Sequence, residues 1–266
     1  MRDPAPVRWL LIGATVLFLG VVVLLPVVAI FTEALSQGVA VYLAALTEPE
    51  ARAAIGLTLE TAAIVVPLNT LFGVAAAWTL ARFAFPGKSI LTTLLDLPFA
   101  VSPVISGMIF VLLFGANSVL GPILKAHGVS IIFAVPGIII ATLFVTLPFV
   151  ARELLAFMQS QGQDDEEVAL TLGASGWQMF FRVTLPNIKW GLLYGMILCN
   201  ARAMGEFGAV SVVSGHIRGK TNTIPLHVEI LYNEYNFAAA FAVASLLVGL
   251  ALVTLVVKRL VGPQKI

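Results

Sequence analysis

Cysteine and charge are both scarce in this chain of 266 residues. The single cysteine, Cys199, excludes an internal disulfide framework and gives no basis for a cysteine-rich metal site. We expect it to pack as a small apolar residue inside a helix. Charged residues make up 11% of the sequence and leave a formal net charge of +1. Because there is no basic stripe with interleaved aromatic residues, nothing in the sequence indicates nucleic-acid binding.

Apolar residues, in contrast, make up 59% of the sequence, and the mean hydropathy of +1.01 is far outside the range of soluble domains. A transmembrane helix needs about 20 apolar residues. The pattern therefore predicts an all-α membrane protein with six transmembrane helices. The six runs are Trp9–Thr32, Thr61–Ala81, Leu97–Leu124, Val129–Ala151, Trp190–Gly215 and Phe237–Val257.

Two of these runs are irregular. Pro98 and Pro103 predict a kinked or late-starting third helix, and a turn is expected near Gly115. The fifth run is interrupted by Arg202 and Glu206.

Basic residues are distributed unequally between the loops, which predicts the orientation of the chain. With a cytoplasmic N-terminus, ten lysines and arginines face inward and four face outward, while Arg202 lies within the membrane. Since basic residues of short loops stay preferentially in the cytoplasm, we expect both termini and the polar segment 159–189 to lie inside. The ten are Arg2, Arg8, Arg82, Lys88, Arg152, Arg182, Lys189, Lys258, Arg259 and Lys265, and the four are Arg52, Lys125, Arg218 and Lys220.

The polar segment 159–189 has the pattern of a short helix-turn-helix. Carboxylates at Asp164–Glu167 suit a helix N-terminus, and Gly173 suits the left-handed residue that ends a helix. Ser175 and Gln178 fit a capping box at the start of a second helix. The first helix would present Ala169 and Leu172 to a groove on a partner, and the second helix would have an apolar face formed by Trp177, Phe180, Phe181 and Val183. The alternative is an amphipathic loop that lies on the lipid headgroups.

The same segment carries the motif E-x-A-x3-G-A-x8-V-x-L-P. This spacing resembles the cytoplasmic EAA loop of bacterial ABC-importer permeases, through which the membrane subunit contacts its ATPase. Val168 stands where that family usually has alanine. The resemblance assigns ATPase coupling to Glu167, Val168, Ala169, Leu172, Gly173, Ala174, Leu185 and Pro186.

A second informative string is Ala201-Arg202-Ala203-Met204-Gly205-Glu206-Phe207-Gly208-Ala209. Ionisable groups at membrane depth are costly and usually face a bundle interior or an aqueous cavity. Arg202 and Glu206 are four residues apart, so we expect them on one helix face, as a self-neutralising pair or as part of the pathway and its gate. Gly205 and Gly208 would let another helix approach closely.

The segment that follows contains His216, Arg218, Lys220 and Thr221, which we place at the outer mouth. It is not a P-loop, because three residues rather than four separate Gly215 from Gly219. The cluster attracts an anion or is simply a solvated group of loop charges.

Together, the string Arg202–Ala209 and the segment Gly215–Leu226 that leads to Glu229–Tyr235 resemble the sulfate/thiosulfate ABC permease family, and its W-type subunit most closely. The resemblance implies a type I ABC-importer permease, with residues 1–266 as one transmembrane domain in a bacterial inner membrane. It also implies a heterodimer with a second permease subunit, two ATPase subunits that bind ATP and Mg²⁺, and a periplasmic sulfate-binding protein. This chain would be a pore without cofactor, metal or catalytic residues. Molybdate permeases share both motifs, so molybdate remains an alternative substrate.

Two other classes of protein fit the sequence less well. A membrane-embedded enzyme would need paired carboxylates or histidines near the midplane, but the three histidines, His127, His216 and His227, fall outside the predicted spans. An ion-gradient symporter would more often show inverted repeats with discontinuous helices, and no convincing repeat is present.

Overall fold

Helices account for all the regular structure in the computed structural model, which describes residues 5–261 and contains no strand in that range. The all-α prediction is confirmed. Two basic residues used to predict the orientation, Arg2 and Lys265, lie outside the described residues. The helices are α1 (Ala5–Leu19), α2 (Leu25–Ala34), α3 (Val39–Thr47), α4 (Pro49–Arg82), α5 (Lys88–Ala100), α6 (Pro103–Phe114), α7 (Gly121–Ala126), α8 (Val135–Gln161), α9 (Asp164–Thr171), α10 (Gly176–Met179), α11 (Leu185–Met204), α12 (Gly208–Val213), α13 (Ile224–Asn233) and α14 (Phe237–Val261).

Four stretches of helix in the described range are long and apolar enough to cross a membrane. They are Pro6–Ala34, Pro49–Arg82, Val135–Gln161 and Phe237–Val256. A fifth span is formed if α5 and α6 cross together, although the chain bends by 106° between them. That bend lies directly before Pro103, where α6 begins, and so confirms the kink predicted there. Helix α6 ends at Phe114, which confirms the turn predicted near Gly115.

The prediction of one continuous fifth helix from Trp190 to Gly215 is wrong. Helix α11 begins earlier, at Leu185, and ends at Met204, after which α12 starts at Gly208. The polar Glu206 lies in the break, where its carboxylate accepts a hydrogen bond from the Ala209 backbone N–H. The buried carboxylate therefore accepts from a backbone N–H in the first turn of α12, which would have an internal partner in a continuous helix.

Two π-helical turns, Gly20–Leu24 and Phe180–Thr184, each come directly before a Leu-Pro pair. Proline has no backbone N–H, and its ring collides with the carbonyl oxygen one turn earlier in a regular helix. The wider π turn relieves this crowding, so the chain passes into α2 and α11 without a break. The second helix of the polar segment is therefore continuous with α11.

The centre of the fold is the packing of α8 against α4 and α11. Gly73 makes the contact of α4 with α8 close, because a Cβ there would lie 2.7 Å from Val150 Cγ1. Asn69 fixes the same pair of helices, since its Nδ2 donates to Thr146 Oγ1 at 2.8 Å and to the Leu143 carbonyl at 3.2 Å. Cys199 is buried in this core, as predicted.

A second core joins α2, α3, α13 and α14 to the start of α4 through small side chains such as Ala51 and Ala239. Most of the α1 side chains, in contrast, are exposed. The molecule has two polar ends. At the start of α4, Arg218 pairs with Glu50, and at the end of α4, Arg82 pairs with Glu166. The 34 residues of α4 separate these two pairs by about 51 Å along the helix.

Candidate functional site

The polar segment folds as the predicted helix-turn-helix. Helix α9 begins with four acidic residues, and Gly173 has a φ of 90°, the left-handed conformation expected where this helix ends. The capping box is present in both directions, since Ser175 Oγ accepts from the Gln178 N–H at 3.4 Å and Gln178 Oε1 accepts from the Ser175 N–H at 2.9 Å. These local interactions give the turn a defined shape.

The far end of this segment carries exposed apolar side chains, which we call the tip and define as Val168, Leu172, Trp177 and Phe181. Leu172 is 83% exposed and Trp177 is 73% exposed. Trp177 stacks on Phe181 with ring centroids 5.9 Å apart. An apolar surface of this kind is unfavourable in water and is typical of a docking site.

The residues assigned to coupling from the motif divide into two groups. Glu167 and Val168 are exposed beside the turn, and Ala169 and Ala174 are half-buried. Leu185 and Pro186 belong to the first turn of α11 and lie at the other end of the segment. The structure therefore brings the first group, with Leu172 and Gly173, to the tip and separates it from the second.

The near end of the segment, which we call the root, contains residues that the motif did not indicate. Glu166 is buried, and its Oε2 lies 2.6 Å from Nε of Arg82, the last residue of α4. This contact is an ion pair rather than a hydrogen bond, because the Nε–H does not point at the oxygen. Glu166 Oε1 accepts a hydrogen bond from Thr184 Oγ1 at 2.8 Å. The available signal was a second glutamate beside Glu167 and an arginine at the end of an earlier apolar run.

Two further contacts fix the root. Arg82 Nη1 donates to the Met158 carbonyl at 3.3 Å, near the end of α8. Asn187 Nδ2 donates to Asp165 Oδ2 at 2.9 Å, and so joins the start of α9 to the start of α11. The segment is thus anchored at its root and exposed at its tip.

Arg202 and Glu206 form the predicted ion pair, with Arg202 Nη2 2.6 Å from Glu206 Oε2. The Glu206 side chain is fully buried, whereas the Arg202 side chain is 33% exposed. The pair does not lie on one helix face as expected, because Glu206 follows the end of α11 and caps α12 through Ala209. Arg202 is therefore the member of the pair that presents charge to the surroundings.

The two glycines near this pair differ. A Cβ on Gly208 would lie 3.0 Å from Pro103 Cβ, which confirms that another helix, α6, approaches closely there. The same expectation is wrong for Gly205, where the nearest atom to an added Cβ is Ala201 O in the preceding turn, at 3.6 Å. Gly205 instead follows the last residue of α11 with a φ of −94°, a conformation that other residues also adopt.

The predicted outer mouth is only partly accessible. His216 and Lys220 are exposed, but Thr221 is buried and its Oγ1 accepts from the Ile217 N–H at 3.0 Å, so its placement at the mouth is wrong. Arg218 is paired with Glu234 and lies 3.5 Å from Glu50, and the hydrogen bond to Glu234 raises the pKa of Arg218. Two carboxylates offset its charge, which weakens its attraction for an anion.

The loop after α12 leads to a buried histidine that sequence reasoning placed outside the spans. Burial lowers the pKa of His227, although nearby Glu48 and Glu50 act in the opposite direction. Within residues 5–261, no three His, Cys, Asp or Glu side chains come together in a group that could hold a metal ion.

Comparisons with known proteins agree with this geometry. Residues 69–265 match the family described as "Binding-protein-dependent transport system inner membrane component". The "Sulfate transport system permease protein CysW" of Escherichia coli (strain K12) is 51% identical over 95% of this chain and 87% of its own length. The "Sulfate transport system permease protein CysT" of the same strain is 35% identical over 96% of this chain and 92% of its own length.

The fold has a counterpart of known structure. The crystal structure of a bacterial alginate ABC transporter in complex with an alginate pentasaccharide-bound periplasmic protein contains a chain that matches with a TM-score of 0.78 and 18% identity. The match covers 96% of this chain and 92% of that one. The resemblance drawn from the motifs is confirmed, as is the localisation as a multi-pass protein of the inner membrane. This chain belongs to the family of binding-protein-dependent transport system inner membrane components.

Proposed function

We propose that this chain is one of two different permease subunits of an ATP-driven importer and that it carries sulfate across the cytoplasmic membrane. The relatives named as sulfate transport permeases align with nearly the whole chain, and CysW is more similar to it than CysT is. This difference supports the W-type position in a heterodimer. Sulfate is the proposed substrate, with thiosulfate and molybdate as the competing oxyanions that a transport assay must separate.

The proposed topology has six spans with both termini in the cytoplasm. The spans are α1 with α2, α4, the bent pair of α5 and α6, α8, α11 and α14. Helix α11 has 20 residues and a length of about 30 Å, which matches the hydrocarbon core even though Lys189 and Arg202 lie near its two ends. This arrangement places Glu166 at the cytoplasmic side and Arg218 outside.

The observation that carries the proposal is the anchored root and exposed tip of the polar segment. Leu172 and Trp177 are held on a short helix-turn-helix but have little of their surface covered. A groove on an ATPase subunit would cover this tip, in the manner of a helix bound in a groove. Two such ATPases, one per permease subunit, would bind ATP and Mg²⁺, because the segment here is too short to fold as an ATPase domain.

Translocation is assigned to the region of Arg202, Gly205 and Glu206. The exposed third of the Arg202 side chain offers donors to a passing divalent anion, and Glu206 offsets enough of its charge to prevent tight retention. A periplasmic binding protein would deliver sulfate to the outer mouth near His216 and Lys220. ATP-driven closure of the ATPases would then pull the Glu167–Pro186 element and rock the helices, so that access changes from outside to inside.

The experiment is purification of the tagged chain with its coexpressed partners, followed by reconstitution into vesicles. The wild-type chain should bring a second permease and an ATPase, and labelled sulfate uptake should require ATP but no ion gradient. Leu172→Asp should purify with the second permease but without the ATPase, because a charged side chain is costly in an apolar groove. The matched control is Val119→Asp, an equally exposed apolar residue in the loop after α6, which should retain both partners.

Uptake that persists after ATP depletion and collapses with an uncoupler would contradict the importer and support a symporter. Equal ATPase recovery with Leu172→Asp and Val119→Asp would contradict the docking role of the tip. Molybdate uptake that exceeds sulfate uptake would contradict the substrate assignment alone.

A further inference from the structure

Two neighbouring glutamates at the start of α9 have opposite surroundings. Glu167, the residue that the motif identifies, is exposed, whereas the Glu166 side chain is 10% exposed and paired with an equally buried Arg82 side chain. The proposed ATPase contact accounts for an exposed acidic residue near the tip. It does not account for Glu166, which faces the membrane helices of its own chain.

The partners of Glu166 lie on elements that are distant in the sequence. Arg82 is the last residue of α4, and Thr184 is the last residue of the π-helical turn that leads into α11. Arg82 also contacts the Met158 carbonyl of α8. One carboxylate and its arginine therefore connect the segment to three membrane helices.

Of those three helices, α4 is the one without a short covalent connection to the segment. Helix α8 joins α9 through Gly162 and Gln163, and α11 continues directly from the π-helical turn. Gly162 has a φ of 77° and open space around it, so it is a joint at which α9 could swing relative to α8. The Glu166–Arg82 pair connects α9 to the end of α4 and so restricts bending of the chain at Gly162.

We propose that Glu166, held by Arg82 and Thr184, is the positioning residue that transfers movement of the ATPase-docking segment to α4. This inference rests on the proposed coupling function of the segment. Apolar helix faces slide past each other by small shear movements, whereas an ion pair supported by a hydrogen bond from Thr184 fixes one relative position. With the pair intact, a pull on the tip moves α4 together with α11. Without it, the same pull bends the chain at Gly162.

The test uses the complete transporter in vesicles and measures the number of ATP molecules hydrolysed per sulfate imported. Glu166→Gln keeps the shape and the oxygen that accepts from Thr184 but removes the charge that pairs with Arg82. We expect unchanged recovery of the ATPase, continued ATP hydrolysis and a sulfate import lower by about tenfold, the factor that corresponds to about 1.4 kcal/mol for the lost ion pair.

The matched control is Asp164→Asn, which removes the same charge from the same helical turn at an exposed position and should leave the ratio of ATP to sulfate unchanged. The exchanged pair, Arg82→Glu with Glu166→Arg, should restore much of the import lost in either single substitution. Rescue of this kind distinguishes a positioning pair from a site at which any substitution is harmful.

An intact complex in which Glu166→Gln leaves the ratio of ATP to sulfate unchanged would overturn the proposal. Loss of the ATPase from Glu166→Gln would also overturn it, because the residue would then serve docking rather than transfer of movement. If Glu166→Gln fails to assemble, Thr184→Val decides, since it removes one hydrogen bond and should raise the ratio by less. A wild-type complex without ATP-dependent sulfate import would instead refute the proposed function.

Discussion

The root of the polar segment and the break between α11 and α12 are built around the same chemical unit. Each contains a buried glutamate with an arginine nitrogen 2.6 Å from one carboxylate oxygen as an ion pair, and in each the other carboxylate oxygen accepts a hydrogen bond. At the break, the partners of Glu206 are Arg202 and Ala209, within four residues along the chain. At the root, the partners of Glu166 are Arg82 and Thr184, on separate elements.

This difference separates two uses of a buried carboxylate. A pair whose members are neighbours in sequence stabilises one local conformation, here the end of α11 and the start of α12. A pair between distant elements fixes how those elements lie relative to each other, here α9 against α4. Removal of the first kind of pair disturbs only the local structure. The second kind of pair can transfer a movement of one element to the other.

The largest expected effect comes from breaking the local pair. Glu206→Ala leaves the Arg202 guanidinium without its counter-charge and the Ala209 N–H without its acceptor, so we expect a loss of about 3–5 kcal/mol in stability. Denaturant unfolding in detergent measures it. The double substitution Arg202→Gln with Glu206→Gln retains an acceptor for Ala209 and should be more stable than Glu206→Ala.

Sulfate uptake by that double variant also separates the two interpretations of the pair. If Arg202 acts in the pathway, stability recovers while uptake stays low. Full uptake in a stable double variant would reduce the pair to a structural role.

A smaller loss is expected from Gly107→Val, which tests how firmly the capped α12 is seated. A Cβ on Gly107 would lie 2.8 Å from both Ala209 O and Val212 Cβ, so α6 and α12 would have to move apart. We expect a loss of about 1–3 kcal/mol, measured in the same unfolding assay. Gly56→Val is the control, because nothing lies within 4 Å of a Cβ there. Equal losses in the two variants would refute close seating of α12.

Gly173→Ala should have an effect of about 1 kcal/mol, or roughly fivefold in the affinity for the ATPase, because alanine is strained at a φ of 90°. The strain would shift the tip away from its docking geometry while the root stays intact. Gly176→Ala is the control three residues away, since it has equal open space and no positive φ. Titration of the purified permease pair with ATPase gives both affinities, and equal values would contradict the role of the left-handed turn.

The smallest effect is expected from Ser175→Ala, which removes one half of the capping box. The Ser175 Oγ to Gln178 N distance of 3.4 Å is long, so we expect a loss of about 0.5 kcal/mol, at the low end for helix caps. Amide hydrogen exchange over residues 173–180 measures the fraying directly. Ser175→Thr keeps a hydroxyl and should exchange as the wild type does; faster exchange in both variants would mean that the cap is not the cause.

Much of the candidate site could be predicted because its interactions are short in sequence. The capping box at Ser175, the left-handed turn at Gly173 and the contact of Arg202 with Glu206 each involve residues a few positions apart. The geometry of the capping box and of the turn follows from the helical repeat and from backbone sterics. Arg202 and Glu206 are in contact because they are close in sequence, although Glu206 lies beyond the end of α11. The membrane class followed in the same way, since the length of an apolar run is a property of the sequence alone.

The predictions that were wrong depended on what surrounds each residue. The apolar length of the run Trp190–Gly215 predicts one helix, which would put Arg202 and Glu206 on a single face. In the structure α11 ends at Met204, and α12, which follows the break, packs closely against α6 at Gly107 and Gly208. Thr221 was placed at the outer mouth by its position in a polar loop, but its hydroxyl turns inward to the Ile217 N–H.

The sequence by itself determined the all-α class, the apolar helices, the shape of the tip and the family. All of these follow from periodicity, composition and motifs within short windows. Only the tertiary structure decided that Glu166, and not its neighbour Glu167, pairs with Arg82. No local rule distinguishes two adjacent glutamates in one helical turn. The distinction arises because the last residue of α4 lies beside Glu166, and the packing of distant helices determines the position of that residue.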